Sequence, residues 1–226
     1  MLHSDQFHIT FVHSGSIAGI ASYIKIKGVL YMSELTNEEF KQCLNNMRTH
    51  YKSDTESKYQ LPDKVLSLAS FNAAELPKEA QDAQTNFKKD GVVFFKDNQD
   101  GCTKAAQQFE TDKNQANFKQ IMEARKQKAK ADAALALDKL YDTMAAAGDA
   151  HPEQQSNILT ITKGLSDFFH GNIVGGIINI VNALVSIIQN VVHQVQKFFT
   201  DMWGKVSGWF GSLFLPENLS FEKSAV

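Results

Sequence analysis

The sequence predicts an α+β chain, mainly helical with a small N-terminal antiparallel β element and with long helices that include one long amphipathic, strongly apolar C-terminal helix. Three observations predict it. Apolar and polar residues alternate near the N-terminus, the period then lengthens to three and four residues, and the stretch "NIVGGIINIVNALVSIIQNVVHQV" (Asn172 to Val195) has no acid or base except one histidine. The expected sections are a β-rich element over 1–35, a helical region over 36–150 with a long charged helix, and an apolar segment with an aromatic tail over 151–226.

In order along the chain, "QFHITFV" sets Phe7, Ile9 and Phe11 against His8 and Thr10, which is strand period, and Ser14 to Ser16 reads as a turn. In "IASYIKIKGVLYM", Ile24 and Ile26 oppose Tyr23, Lys25 and Lys27, with Gly28 as a bulge or bend. Thr36 followed by Glu39 is the pattern of a capping box, and Phe40, Cys43, Leu44, Met47 and Tyr51 then recur at helical spacing, so a helix is expected from about Asn37 to His50. Pro62 and Pro77 are expected to open two further helices. Val92 to Phe95, between two Asp-Gly pairs, is open to a strand reading. From Thr103 to Ala147 Ala, Lys, Gln and Asp abound without Pro or Gly, which predicts one long solvated helix stopped at Gly148.

Composition narrows the function classes. A net charge of -2 removes most of the long-range attraction a polyanion would feel, so no nucleic-acid partner is expected. Cys43 and Cys102 show no CxxC spacing, and His3, His8 and His13 recur every five residues, which in a strand alternates faces. Neither a metal site nor a cofactor is expected. Phosphate-binding loop, dinucleotide fingerprint, nucleophile elbow and HExxH are all missing from the sequence, so a non-enzymatic role is expected, with no catalytic residues. Lys119, Arg125, Lys126, Lys128 and Lys130 lie among acids without interleaved aromatics and read as a solvated helix face. The start "MLHSDQFHITF" lacks a basic n-region and a continuous apolar h-region. Synthesis in the cytoplasm is therefore the expectation, with release or membrane association left open, either by a signal-independent route or after removal of a signal that precedes this numbering.

The C-terminal segment carries the strongest pattern. One face reads Ile173, Ile177, Ile180, Leu184, Ile188, Val191, Val195 and Phe199, continuing toward Trp203, Trp209 and Phe210; this is the expected membrane-facing side. The opposite, polar face carries Asn179, Asn182, Ser186, Asn190 and His193. The step of eleven residues through Asn179, Asn190 and Asp201 corresponds to about 3.67 residues per turn, close to a straight helix. Gly171, Gly175 and Gly176 are expected to form a hinge, and the GxxxG spacing of the first two also suits close helix contact in a membrane.

Three readings are open for this segment. Roughly 20 apolar residues suffice to span a bilayer, but Asn179, Asn182, Gln189 and Asn190 each cost free energy in lipid. A core helix with a wet polar face is the second. The third is a face shielded at first and later given to a bilayer or to copies of the same chain, and it accounts best for the interfacial aromatics Trp203, Trp209 and Phe210. Charged helices, one long apolar helix and a small β element resemble the general plan of α-helical pore-forming toxins. The likeness is one of plan and covers no motif, and the apolar element lies near the C-terminus instead of between long helices. It implies a membrane-active, pore-forming or toxin-like protein with a lipid membrane and further copies of itself as partners. The alternative is a structural or assembly protein whose apolar helix is a permanent core or homo-oligomer interface.

Overall fold

The structure, a computed structural model, describes residues 10–12, 23–26, 29–32, 34–53, 57–71, 76–186 and 190–211, and the side chains described begin at residue 34. Seven α-helices occur among the described residues: α1 Asn37–Lys52, α2 Asp63–Phe71, α3 Lys78–Asp112, α4 Gln115–Ala150, α5 Gln155–Phe168, α6 Gly175–Ser186 and α7 Val191–Gly211.

The fold is mostly α, which overturns the expected α+β class and its N-terminal β element. No strand lies among the residues whose side chains are described. Among the described residues ahead of α1, backbone pairing occurs at Thr10–Val12, Tyr23–Ile26 and Val29–Met32, runs of three or four residues that fall short of the five or six of an ordinary strand. The described core runs from Phe40 to Val206 and is built by helices. Alternation shows which residues could share a face, but a sheet becomes a layer of a fold only when that face is buried against another element. The Ser14–Ser16 turn, Gly28, His3, His8 and His13 lie outside the described residues.

The helices explain two further departures. Val92–Phe95 belongs to α3 and is no strand: Phe87, Gly91, Phe94, Asn98, Cys102, Ala105 and Phe109 are buried at steps of three and four, widened by Phe95 and Ala106, and this stripe outweighs the helix-weakening effect of the glycines at 91 and 101. The long helix expected from Thr103 to Ala147 is broken at Lys113, whose φ of 53° is left-handed. Asn114 N–H donates to Asp112 Oδ1 at 2.7 Å, and Asn117 N–H donates to Asn114 Oδ1 at 3.1 Å, so Asp112 and Asn114 end one helix and cap the next.

By packing, the chain divides into two units, residues 1–84 with 137–167 and residues 85–136 with 168–226. In the first, α1 starts at the expected capping box: Thr36 N–H donates to Glu39 Oε2 at 2.8 Å, and Glu39 N–H donates to Thr36 Oγ1 at 3.2 Å. Its buried face is the expected set Phe40, Cys43, Leu44, Met47 and Tyr51, and Val65, Leu140, Met144 and Ile158 are buried in the same unit. Tyr141 Oη and Ser166 Oγ are 2.9 Å apart, and Tyr51 hydrogen-bonds Asp167; burial, then the Asp167 carboxylate, pushes the Tyr51 phenol well above its ordinary range. Such buried polar groups keep their partners because an unmet one costs about 1–3 kcal/mol.

Gly148 does not stop α4, which continues to Ala150. Its role is to admit Phe40: a Cβ there would stand 2.2 Å from Phe40 Cζ. Gly148→Ala is therefore expected to destabilise the protein by about 1–3 kcal/mol through overpacking against a fully buried ring. An unchanged melting temperature would show that Phe40 can move aside.

The second unit has four helical segments. α3 and α4 form an antiparallel hairpin through Phe109 on Phe118 (centroids 4.9 Å apart) and through Asp97 with Lys128 at 3.2 Å. Phe94 packs on Phe169, and Phe95 on Phe199 and Trp203, which brings the C-terminal helices onto α3.

Candidate functional site

The C-terminal apolar segment is not one long helix. From α5 the chain continues through a π-helical turn, Phe169–Val174, in which Gly175 N–H donates to His170 O, and then forms α6. α6 ends at Ser186, and α7 begins at Val191 and packs back against α6. Asn190 has a φ of 55°, a left-handed conformation that Asn tolerates better than most residues, and this is what interrupts the expected straight helix.

The three glycines expected to hinge are all helical. Gly171 and Gly175 fall in the π turn and at the start of α6, where added Cβ atoms would meet nothing and the His170 carbonyl at 3.3 Å respectively. Gly176 faces α7: a Cβ there would lie 2.2 Å from Met202 Cε, so the absent side chain lets the two helices approach. This close fit makes α6 and α7 a tightly packed helical hairpin.

The two sequence faces separate cleanly by exposure. Ile173, Ile177, Ile180, Leu184, Val191, Val195 and Phe199, the residues read as membrane-facing, are only 0 to 8% exposed, and Met202 and Val206 continue the buried stripe. Trp203 is half-buried against Phe95 at 5.6 Å. Ile188 and the side chains of Trp209 and Phe210 lie outside the described residues. Asn179, Asn182, Ser186, Asn190 and His193 are all exposed. Even after the chain reverses, the buried stripe keeps helical spacing on both arms, because each arm has its own apolar side to place in the core.

Charge distinguishes α6 and the first six residues of α7 from the helices they pack on, whereas the rest of α7 exposes Lys197, Asp201 and Lys205. α3 and α4 present Lys89, Lys96, Asp97, Lys104, Lys119 and Glu123 to water. From Phe168 to Gln196 no Asp, Glu, Lys or Arg occurs. Among the described residues, one helical run, Pro152–Ser186, is long and apolar enough to cross a membrane; its most apolar 18-residue window has a mean hydropathy of 1.5 and is 39% buried. Most of that window is thus not sequestered, and what it shows to water is Asn, Ser, Ala and Gly.

The basic cluster on α4 is internally balanced. Arg125 and Lys128 face Asp97, Lys126 pairs with Glu123 at 2.6 Å, and Lys128 also contacts Asp132. Such pairing favours a solvated, ion-paired face over a phosphate site. Among the described residues no group of three or more His, Cys, Asp and Glu is placed to hold a metal ion. Cys43 and Cys102 are free and buried; burial pushes the Cys102 thiol up to about 11, far from the range of a reactive thiolate.

Two features here have only a faint sequence signal. The reversal at Asn190 could have been read from the residue's left-handed tolerance, had its place in the polar stripe not accounted for it first. The Gly176 contact with Met202 has no local signal, since it joins positions on opposite arms. No known protein family, curated protein or solved structure matches the chain.

Proposed function

We propose that this chain is a non-enzymatic, membrane-active protein of pore-forming or toxin-like character. In this reading the α6–α7 hairpin is stored in the core of the second unit, is handed to a lipid bilayer after the protein leaves the cytoplasm or reaches a membrane, and there associates with copies of itself. The observation that carries the reading is the absence of charge on the water-facing side of the hairpin from Phe168 to Gln196, beside helices whose water-facing sides are charged. A helix kept permanently in a core gains nothing from an uncharged wet face, whereas one that enters lipid would otherwise carry charges costing about 2.5–3.5 kcal/mol each at the bilayer centre.

The energetics of exchange support it. Each large side chain of the buried stripe gains about 1.5–3 kcal/mol on leaving water, and lipid tails offer nearly the same transfer as the protein core. Core and bilayer therefore compete on almost equal hydrophobic terms. The Asn and Ser side chains keep water if the hairpin lies in the interface, or if several copies turn them inward.

The near-complete burial of Ile177, Leu184, Val191 and Phe199 favours the second reading, a permanent core or subunit interface in an assembly protein. The chain's own tryptophans discriminate the two, because both of them, Trp203 and Trp209, lie in α7. Their emission should shift to the blue and be quenched by brominated lipid when vesicles are added, with release of trapped dye, at about pH 7.4 or about pH 5.5. Unchanged emission and intact vesicles under both conditions would reject the membrane reading in favour of the permanent core. If copies line an aqueous path, Asn179→Leu with Asn182→Leu should lower conductance while leaving the emission shift in place.

A further inference from the structure

Among the described residues, no side chain of the residues just ahead of α7 caps its first turn. An N-cap residue ordinarily adopts extended backbone so that its side chain can reach back to the first free N–H groups; Asn190 is instead left-handed, with a φ of 55°. The acceptor comes from elsewhere. Val192 N–H, in the first turn of α7, donates to Glu110 Oε1 at 3.2 Å, across 82 positions of sequence and from the last turn of α3. The carboxylate thus meets both needs of a helix N-terminus, an acceptor for an unmet N–H and a negative charge at the positive end of the helix dipole.

This contact sits where it governs the hairpin's attachment. Glu110 is one residue past Phe109, whose ring packs on Phe118 at the tip of the α3–α4 hairpin, and Val192 is the second residue of α7. A second polar tie, Lys126 Nζ to Asn182 Oδ1 at 3.4 Å, joins α4 to α6 near the same end. Behind these ties the attachment is apolar, through Phe94 on Phe169 and Phe95 on Phe199, and apolar contact is the kind a bilayer can replace. A charge-assisted cap has no substitute in lipid. Gly176 under Met202 meanwhile holds α6 and α7 to each other independently of α3.

We infer that Glu110 is an autoinhibitory latch: it caps α7 from the tip of α3, holds the α6–α7 hairpin onto the second unit, and must let go before the hairpin can leave. The inference rests on the membrane-active reading for its purpose but not for its first test, which contains no lipid. Hydrogen exchange of the full chain in buffer should show the amides of Val192 to Val195 losing about fivefold to tenfold protection in Glu110→Ala, the usual scale of a lost cap with its charge. Glu110→Gln keeps an acceptor without the charge and should fall between. The amides of α1 in the first unit should not change, which separates a lost latch from general destabilisation. Equal protection in all three proteins, or a loss spread evenly over α1 and α7, overturns the latch.

The same three proteins are then mixed with vesicles of mixed neutral and anionic lipid. Faster dye release in the order Ala, Gln, wild type is expected. Altered exchange without any dye release from any of them would keep the cap but reject its autoinhibitory purpose along with the membrane reading, and altered exchange with dye release at identical rates would show that the cap does not hold the hairpin back.

Discussion

Phe199→Ala lowers the stability of the second unit by about 3–5 kcal/mol, the cost of removing a large aromatic side chain from a closed core. Phe199 is fully buried at the centre of α7, with its ring edge-on to Phe95 at 5.4 Å and to Phe198 at 5.1 Å. Two losses add: the transfer free energy of the ring, and the cavity left between α3 and α7 where rigid neighbours cannot close in. Denaturant unfolding followed through Trp203 and Trp209 measures it, because both report on α7 itself. A loss below about 1 kcal/mol would mean that α7 does not share the core of the folded protein. The variant also bears on function. If the hairpin is a permanent core, the protein merely becomes less stable. If it is stored for delivery, dye release from vesicles should quicken, because the stored state is raised in energy while the hairpin in lipid loses one apolar side chain among many.

Lys88→Met works in the opposite direction, raising stability at neutral pH by about 1–2 kcal/mol once screening of the amine by solvent is allowed for. Lys88 lies on α3, one residue after Phe87, and is only 5% exposed. Burial disfavours its charged form and pulls its pKa from 10.5 down to about 8. At pH 7 the amine is still protonated in the folded protein, so the fold carries a desolvated charge that the unfolded chain does not. As pH rises from about 8 to 10.5 the unfolded chain binds the proton more tightly than the folded one, and the stability of the wild type should climb through that window. The Met variant lacks this climb, so its advantage should be greatest at pH 7 and fade by about 10.5. Cys102 acts oppositely in part of the same range, since a thiol pushed up to about 11 removes stability as pH rises from 9.0. That contribution is common to both proteins and cancels in their difference. A Met variant no more stable than wild type at pH 7 would show that Lys88 regains from its surroundings what it loses in hydration.

Local chemistry made parts of this architecture legible in the sequence. The Thr36–Glu39 capping box and the spacing of Phe40, Cys43, Leu44, Met47 and Tyr51 locate α1 and its buried face, because caps and amphipathic stripes act within a few residues of one another. Pro62 and Pro77 mark the starts of α2 and α3 for the same reason. The N-terminal alternation corresponds to short backbone runs at Thr10–Val12, Tyr23–Ile26 and Val29–Met32 in a mostly α fold, and alternation by itself is silent on whether another element covers such runs. Val92–Phe95 was misleading in a related way: Asp-Gly pairs favour turns, but Phe87, Phe94 and Phe95 together bury enough apolar surface to carry the helix through.

In the candidate site, the sequence by itself determined which side chains of the C-terminal segment share an apolar face and which share a polar one, and that the segment carries no Asp, Glu, Lys or Arg from Phe168 to Gln196. Periodicity and charge are properties of neighbours along the chain. Only the tertiary structure decided that the segment turns back at Asn190 into a hairpin, that Met202 fills the space left by Gly176, and that the N-terminus of α7 is capped by Glu110. The physical reason is range: a hydrophobic stripe fixes one face of a helix but not its partner, and a cap drawn from 82 residues away exists only once packing has brought the tip of α3 to the start of α7.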